Sequence, residues 1–242
     1  TMTITDANAT LHDGNYSVVV SNDFGSVESG LVEVLVNNTT LMNGLVAWWK
    51  FDETNGTVAY DSSGNGNDGN LTGGPTWTTG KIGGALSFDG VDDYVDVSEF
   101  QWGGEISITS WVKYKVFQKH SRIIDFGNGQ SSNNVIVANY STSSDIYFQI
   151  VRNTSDPRLN VSDFWLLNEW IHFVATIDEN GVMKTYRDAV LSGSKIDGLK
   201  PSTISRTKQY IGKSNWSPDS YYKGLIDDIR IYDRALSAAE VQ

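Results

Sequence analysis

From Leu45 onward the chain alternates short strand-like runs with clusters of Gly, Asn, Asp and Ser. Runs of roughly four to eight residues that are rich in β-branched and aromatic side chains, and bounded by such clusters, indicate strands. The runs are GLVAWWKF, GALSF, YVDV, ISITSWVKY, RIIDFG, NVIVANY, DIYFQIV, WIHFVATI, VMKTYRDAVL, QYIG and LIDDIRIY. So many short strands predict an all-β fold in which antiparallel sheets form a sandwich. We assign this fold to residues 44–242.

One short helix is predicted, at the C-terminal end of the sequence. Ser237 and Glu240 have the spacing of a capping box, in which each side chain bonds to the backbone N–H of the other residue. Aspartate outnumbers glutamate along the chain. Because aspartate suits turns and glutamate is the better helix former, little other helix is expected.

Charge and missing residue types exclude several functional classes. The chain has 18 Lys and Arg against 29 Asp and Glu, a formal charge of -11, which argues against binding to nucleic acid or to an anionic membrane surface. No apolar run approaches the roughly 18 residues of a membrane span, so membrane insertion is not expected. Cysteine is absent, and any metal would need oxygen or histidine ligands. Since neither an HExxH nor a GxSxG motif occurs, we predict that the chain is not an enzyme.

Residues 1–37 differ from the remainder and form a separate region. The stretch TMTITDANATLHDGNYSVVVSNDFGSVES resembles the last strands of a bacterial immunoglobulin-like domain. Tyr16 stands where that family has its tyrosine-corner residue, whereas Val18 replaces the usual cysteine and His12 replaces the common Asp. The resemblance therefore implies partial immunoglobulin-like strands, followed by a polar linker at residues 38–43. A piece this short cannot bury enough surface to fold alone.

Five segments of the larger region, in order, resemble a laminin-G-like domain of the concanavalin-A-like lectin/glucanase superfamily. They are GLVAWWKFDETNGTVAYDSSGNGNDGNL, GKIGGALSFDGVDDYVDV, ISITSWVK, NEWIHFVATID and IGKSNWSPDSYYKGLIDDIRIYDRALSAAEVQ. The resemblance implies a two-sheet antiparallel jelly roll, a non-catalytic role and carbohydrate or protein ligands. It also implies that a structural calcium ion is often present.

Asp227 lies in the run LIDDIRIY, where strict alternation would place it on the same apolar face as Ile229 and Ile231. A buried carboxylate must be protonated, hydrogen-bonded, paired or bound to a metal. One interpretation is a calcium site, because calcium takes six to eight oxygen ligands. The resemblance points to the same segments, and the candidate ligands are Asp52, Asp61, Asn65, Asn67 and Asp227. In the alternative interpretation, Asp227 accepts backbone N–H bonds from a neighbouring loop, and the Asn/Gly run is only a turn.

Aromatic side chains and one basic stretch supply candidates for ligand binding. Aromatic faces stack on the apolar faces of sugar rings, and exposed loops present such rings. The stretch KYKVFQKHSR could hold a sulfated or carboxylated polysaccharide, or it could be a solvated hairpin edge. The candidate residues are Trp216, Tyr221, Tyr222, Tyr114, His120 and Arg122.

These features together predict a secreted or cell-surface, non-catalytic carbohydrate-binding module, covalently linked to neighbouring domains of a longer chain. The alternative is an adhesion or spacer module that binds another protein on a cell surface. The position of Trp216, Tyr221 and Tyr222 discriminates between these functions. Rings that line a groove favour a sugar ligand, and rings that pack inward favour a spacer.

Overall fold

In a computed structural model, the chain divides into two compact units, Thr1–Asn43 and Gly44–Gln242. The structure describes residues 14–17, 19–22, 25–30, 32–34, 39–152 and 155–242. His12, Val18 and the run TMTIT lie outside the described residues. The immunoglobulin-like resemblance of residues 1–37 therefore stays a prediction.

The described residues of the first unit form two antiparallel strand pairs and one helical turn. Strand β1 (Gly14–Tyr16) pairs with β4 (Val32–Val34), and β2 (Val19–Asn22) pairs with β3 (Gly25–Glu28). Helix α1 (Thr39–Met42) lies within the segment predicted as a linker.

The second unit is built from two large antiparallel sheets, as the sequence pattern predicts. The front sheet has the strand order β16-β15-β14-β13-β21-β10-β7-β6. These strands are β6 (Val58–Ala59), β7 (Gly69–Thr72), β10 (Tyr94–Val97), β13 (Arg122–Gly127), β14 (Val135–Asn139), β15 (Ile146–Ile150), β16 (Arg158–Val161) and β21 (Lys208–Ile211). The all-β sandwich is confirmed.

The back sheet has the strand order β19-β18-β17-β12-β22-β9-β8, with β5 also paired to β22. These strands are β5 (Leu45–Trp49), β8 (Thr76–Thr79), β9 (Gly84–Asp89), β12 (Ile106–Tyr114), β17 (Ile171–Ile177), β18 (Met183–Arg187), β19 (Val190–Lys195) and β22 (Lys223–Tyr232). A further pair joins β11 (Phe100–Trp102) to β20 (Ile204–Arg206). Strands β5 and β22 lie side by side, with Leu45 opposite Tyr232 and the Asp233 N–H bonded to the Gly44 carbonyl at 2.9 Å.

The core lies between the two sheets, and most strands contribute alternate side chains to it. In β15, Ile146, Phe148 and Ile150 are fully buried in this core, whereas Tyr147 belongs to a different cluster on the outer face of the front sheet. Trp49 of β5 packs edge-to-face on Phe126 of β13, with ring centroids 6.1 Å apart. This alternation leaves the outer face of the front sheet free to carry aromatic and charged side chains.

Two predictions about secondary structure are wrong. The run VMKTYRDAVL forms two strands, β18 and β19, because Asp188 and Ala189 have φ of 48° and 67° and make a tight hairpin turn. The short C-terminal helix is not seen. Ser237 and Glu240 make the capping-box bonds, but residues 238–240 form only a turn.

The predicted face of Asp227 is also wrong, because β22 contains a bulge. The register of β22 against β12 shifts between Thr109 and Trp111, and Asp228 has φ of 51°. One extra residue in a strand reverses the alternation beyond it. Asp227 therefore lies opposite Trp111 on the outer face, while Ile226 and Ile229 both point into the core.

Candidate functional site

The outer face of the front sheet carries a small apolar cluster of its own. It consists of Ile136, Ala138, Tyr147 and Val151, with Trp216 packed against it. Strands β14 and β15 supply the first three residues through their alternation. Trp216 comes from the loop between β21 and β22, at residues 213–221, which we call the Trp216 loop.

Buried hydrogen bonds fix the Trp216 loop to the sheet. Asp125 of β13 is fully buried, and its carboxylate accepts bonds from the backbone N–H and the side-chain amide of Asn215, both at 2.9 Å. The Asn134 amide donates a further bond at 2.8 Å. Burial raises the pKa of Asp125, while Arg122 and these bonds oppose the shift. The residue before Trp216 is therefore held by a carboxyl group inside the protein.

Arg122 joins the sheet, the loop and the aromatic rings. Its guanidinium pairs with Asp219 of the loop at 2.8 Å and with Asp125 at 3.5 Å. It also lies 5.2 Å from the ring centre of Tyr147 and 5.5 Å from that of Trp216. Burial lowers the pKa of Arg122, and the two aspartates oppose that change. A largely desolvated guanidinium held by two carboxylates orients the rings around it.

Two adjacent pockets meet at Trp216 and Asp219, which line both. The larger has a volume of about 280 Å³, and its walls include His120, Arg122, Tyr147 and Arg158. The smaller, of about 220 Å³, is also lined by Lys213 and Tyr221. The Trp216 loop therefore divides one outer surface into two compartments with aromatic walls.

His120 contributes a directed hydrogen-bond donor to the larger pocket. Its Nδ1 accepts the Ser141 N–H at 3.0 Å, so the proton of the neutral ring resides on Nε2. Burial lowers the pKa of His120 below its ordinary value near 6.5, which favours the neutral form at pH 7. The ring stands edge-on to Tyr140 and Tyr147 at 5.4 and 5.9 Å.

Four of the six predicted ligand-binding residues lie together, and two do not. Trp216, Tyr221, His120 and Arg122 line the two pockets. Tyr114 and Tyr222 are 1% and 0% exposed, and their rings contact each other in the core, 4.7 Å apart. The assignment of these two tyrosines to ligand binding is wrong, because both side chains point inward between the sheets.

Sequence reasoning did not select four residues of this site. Tyr147 and Arg158 line the larger pocket, Asp219 lies in both walls, and Asp125 anchors the loop. A signal existed for Tyr147, since it alternates with the core residues Ile146 and Phe148. No local pattern marks Asp125, whose partner Asn215 is 90 residues away in the sequence.

The five predicted calcium ligands do not form one donor set. Each Asp61 oxygen already accepts two bonds: the N–H groups of Trp48 and Ser63 reach Oδ1, and the Asn67 N–H and Ser63 hydroxyl reach Oδ2. Asn65 and Asn67 direct their amide groups to the Val46 carbonyl. Among the described residues, the one group of three converging acidic side chains is Asp89, Asp92 and Asp93. The three carboxylates among the five predicted ligands therefore do not form such a group, although one calcium ion draws its six to eight oxygens together.

Asp227 has the backbone contacts that the alternative interpretation describes. Its Oδ2 accepts the N–H groups of Lys81 and Ile82 at 2.8 and 2.9 Å, and its Oδ1 is buried with no hydrogen-bond partner in the described part of the chain. Burial raises the pKa of Asp227 to about 7, the two N–H bonds oppose this shift, and Asp228 and Asp52 add to it. Asp52 instead accepts the Gly84 N–H at 2.6 Å. Calcium binding therefore stays a prediction.

A laminin G family model, described as the Concanavalin A-like lectin/glucanases superfamily, matches residues 89–242. The chain belongs to this superfamily. No helix among the described residues has the length and hydropathy needed to cross a membrane.

Several solved structures share this laminin-G-like fold. Domain 4 of AbnA, a GH43 extracellular arabinanase from Geobacillus stearothermophilus, in complex with arabinotriose, is 24% identical with a TM-score of 0.65, over 81% of this chain and 96% of that chain. A structure of botulinum neurotoxin type C, whose cell entry depends on two ganglioside molecules, is 16% identical with a TM-score of 0.62, over 84% of this chain and 51% of that chain. At these identities the likeness shows the fold alone.

One curated relative matches in sequence over a short stretch. Alpha-L-arabinofuranosidase of Bifidobacterium longum subsp. longum is 32% identical over 65 residues, which are 27% of this chain. The match spans 6% of the length of that relative. The laminin-G-like chain therefore corresponds to a small part of this much longer protein.

Proposed function

We propose that the chain is a non-catalytic carbohydrate-binding module of a secreted multidomain protein, which holds that protein on a polysaccharide. The observation that carries this proposal is the half-buried Trp216 ring between two adjacent pockets. The fold is a binding-type, lectin-like one. The similar arabinanase domain is extracellular and has an arabinotriose ligand, which supports both the ligand class and the location.

The two pockets have the chemistry that sugar recognition needs. Ring faces at Trp216 and Tyr221 offer flat apolar contact to the C–H faces of a pyranose or furanose. The same walls hold donors for a sugar hydroxyl, His120 Nε2–H and the Arg158 guanidinium, and an acceptor, the Asp219 carboxylate. A few directed polar groups among aromatic walls are typical of small-ligand sites.

Arg158 suggests that the polysaccharide includes acidic units. Its guanidinium lies 4.9 Å from the ring centre of Tyr140 and 5.7 Å from that of Tyr147. Within the part of the chain that the structure describes, it makes no ion pair. A carboxylate or sulfate group of the ligand could pair with it, because guanidinium binds such groups in two parallel hydrogen bonds.

Trp216→Ala is expected to weaken glycan binding about 30-fold or more, because aromatic anchors between pockets commonly contribute about 2 kcal/mol or more. The measurement is affinity for ligands found on a glycan array, with thermal unfolding as the check on folding. Leu191→Ala, which removes an exposed side chain of β19 in the back sheet, is the matched control. Equal affinity of the two variants would overturn the proposed site.

Arg158→Gln is expected to lower affinity for an acidic oligosaccharide about tenfold, since hydrogen bonds to charged groups contribute about 1.5–3 kcal/mol. Affinity for the matching neutral oligosaccharide should change less than about threefold. Tri-galacturonate and galactotriose, titrated at two salt concentrations, form a suitable pair of ligands. A parallel loss for both ligands would contradict the preference for acidic units.

The second candidate is an adhesion or spacer module that binds another protein on a cell surface. Tyr222 packs inward, as expected for a spacer, but Trp216 and Tyr221 line pockets and are available to a ligand. The ring positions therefore favour a sugar ligand. Binding of a cell-surface protein, together with no response on the glycan array, would reverse this preference.

A further inference from the structure

A third pocket lies at the edge of the back sheet, where β8 is the terminal strand. It has a volume of about 540 Å³, within the range of roughly 300–1,000 Å³ common for ligand sites. It shares no lining residue with the two pockets beside Trp216. Its walls include Asp52, Glu53, Trp77, Thr78, Thr79 and Gly83.

Asp52 is held in place by two glycines, Gly83 and Gly84. Any larger residue at either position would force neighbouring atoms to move. Oδ1 of Asp52 accepts the Gly84 N–H at 2.6 Å. A Cβ at Gly83 would lie 2.3 Å from this same oxygen, and Gly83 also has φ of +67°. A Cβ at Gly84 would lie 2.4 Å from the Phe51 carbonyl oxygen. The segments 51–52 and 83–84 thus lie close together, and this contact fixes Oδ1 of Asp52. The exposed Asp52 side chain remains in the wall of the pocket.

Glu53 is fixed by one oxygen and has an unsatisfied second oxygen. Its Oε1 accepts the Tyr60 N–H at 2.8 Å. Its Oε2 is buried and has no hydrogen-bond partner among the described residues. A buried acceptor left without a donor costs about 1–3 kcal/mol. A hydroxyl group supplied by a ligand would offset that cost.

Trp77 and the threonines complete a wall suited to a neutral polyol. The Trp77 ring is half-buried against the core, and its Nε1–H donates to the Gly56 carbonyl at 3.1 Å. Thr78 and Thr79 are exposed on the same strand. No Lys, Arg or His is among the residues that line this pocket, all of which are described. Two carboxylates, hydroxyl groups and a ring edge select hydroxyl donors and disfavour an anion.

We propose that this pocket is a second carbohydrate site, which takes a neutral glycan unit independently of the site at Trp216. This proposal rests on the proposed function of the chain as a carbohydrate-binding module. The two sites lie on different sheets and differ in charge, since the first is lined by two arginines beside two aspartates and the second by two acidic residues with no basic one. One module could then hold two segments of polysaccharide, and simultaneous binding would raise its overall affinity.

Calorimetric titration with neutral trisaccharides tests this inference on the full chain. Arabinotriose, xylotriose and cellotriose are titrated in EDTA, which removes any cation that could bind the two carboxylates. The unmodified chain should bind two equivalents of at least one sugar, and Trp216→Ala should bind one. Adding Glu53→Gln to Trp216→Ala should lower the remaining affinity at least tenfold. Thr78→Val is an isosteric change at an exposed strand position. Added to Trp216→Ala, it should lower the remaining sugar affinity a few-fold, which tests the pocket without altering Glu53.

Each other outcome overturns the inference in a recognisable way. If the unmodified chain bound one equivalent of sugar and Trp216→Ala bound none, the proposed function would stand and the second site would be ruled out. Residual binding that neither Glu53→Gln nor Thr78→Val changes, with both variants folded, would place that binding elsewhere. A binding signal in a separate calcium titration without EDTA, together with no sugar binding, would make the pocket a cation site. No binding of any glycan would overturn the proposed function as well.

Discussion

Asp125→Ala is expected to lower the free energy of unfolding by about 3–5 kcal/mol, because it removes one of the two carboxylates that pair with buried Arg122 and the acceptor of three hydrogen bonds. Asp125 is fully buried and Arg122 is 4% exposed, so water cannot replace the lost carboxylate. The amides of Asn134 and Asn215 would lose their shared acceptor as well. The change should also release the Trp216 loop and weaken glycan binding, although Asp125 lines neither front-sheet pocket.

Urea unfolding measures this effect, and the same sheet offers a matched control. Asp96 stands on β10 of the front sheet and is half-buried. Asp96→Ala should change stability by less than about 1 kcal/mol, as is usual for substitutions outside buried networks. If Asp125→Ala lowered the free energy of unfolding by no more than Asp96→Ala does, the buried network would not be what stabilises the Trp216 loop.

Asp227→Asn is expected to gain stability relative to the unmodified chain as the pH rises from 4 to 8. The pKa of Asp227 is raised to about 7 in the folded chain, against about 3.9 for an unfolded aspartate. A raised folded-state pKa means that the folded chain holds the proton more tightly. The stabilisation from that proton is present below pH 4 and is lost as the pH rises through 7. The asparagine variant has no such loss, and the stability difference between the chains should change by about 2–4 kcal/mol between pH 4 and pH 8.

Thermal unfolding of both chains across this pH range checks the expectation. The same series with calcium and with EDTA also tests the calcium prediction, because a cation that binds only the folded state raises its stability. Calcium that stabilises the unmodified chain at pH 8, and not the variant, would support a metal beside the unpaired Oδ1. A difference between the two chains that stays constant with pH would contradict the raised pKa.

The strand pattern predicts the sandwich well because it depends on local alternation. The runs around Phe148 and Ile229 show the hydrophobic spacing that the two-sheet core requires. The bulge at Asp228 could not be predicted in this way, because one inserted residue has no hydrophobic signature of its own. It moved Asp227 from the expected core face to the outer face. Long-range register, which pairs Trp111 with Asp227, decides the outcome.

The candidate site was predicted where its residues are close in sequence and missed where the fold brings them together. Trp216 and Tyr221 share one exposed loop, and its composition marks it. Tyr222 is the next residue, yet it points into the core, since residues at the start of a strand already alternate. Asp125 and Arg158 join the site only through sheet pairing. Polar loops indicate where a ligand could bind, and the pairing of strands decides which other side chains reach it.

The side-by-side arrangement of β5 and β22 has a mechanical consequence. Leu45 and Tyr232 face each other where the second unit begins and where β22 ends, and the Gly44–Asp233 bond closes that pair. Tension applied through these two positions would load the cross-strand bonds one after another, starting at the Gly44–Asp233 bond. When antiparallel strands are pulled apart from adjacent ends, their cross-strand hydrogen bonds break one at a time, so little force is needed. A module anchored in this way would yield to tension at this seam before its front sheet is disturbed.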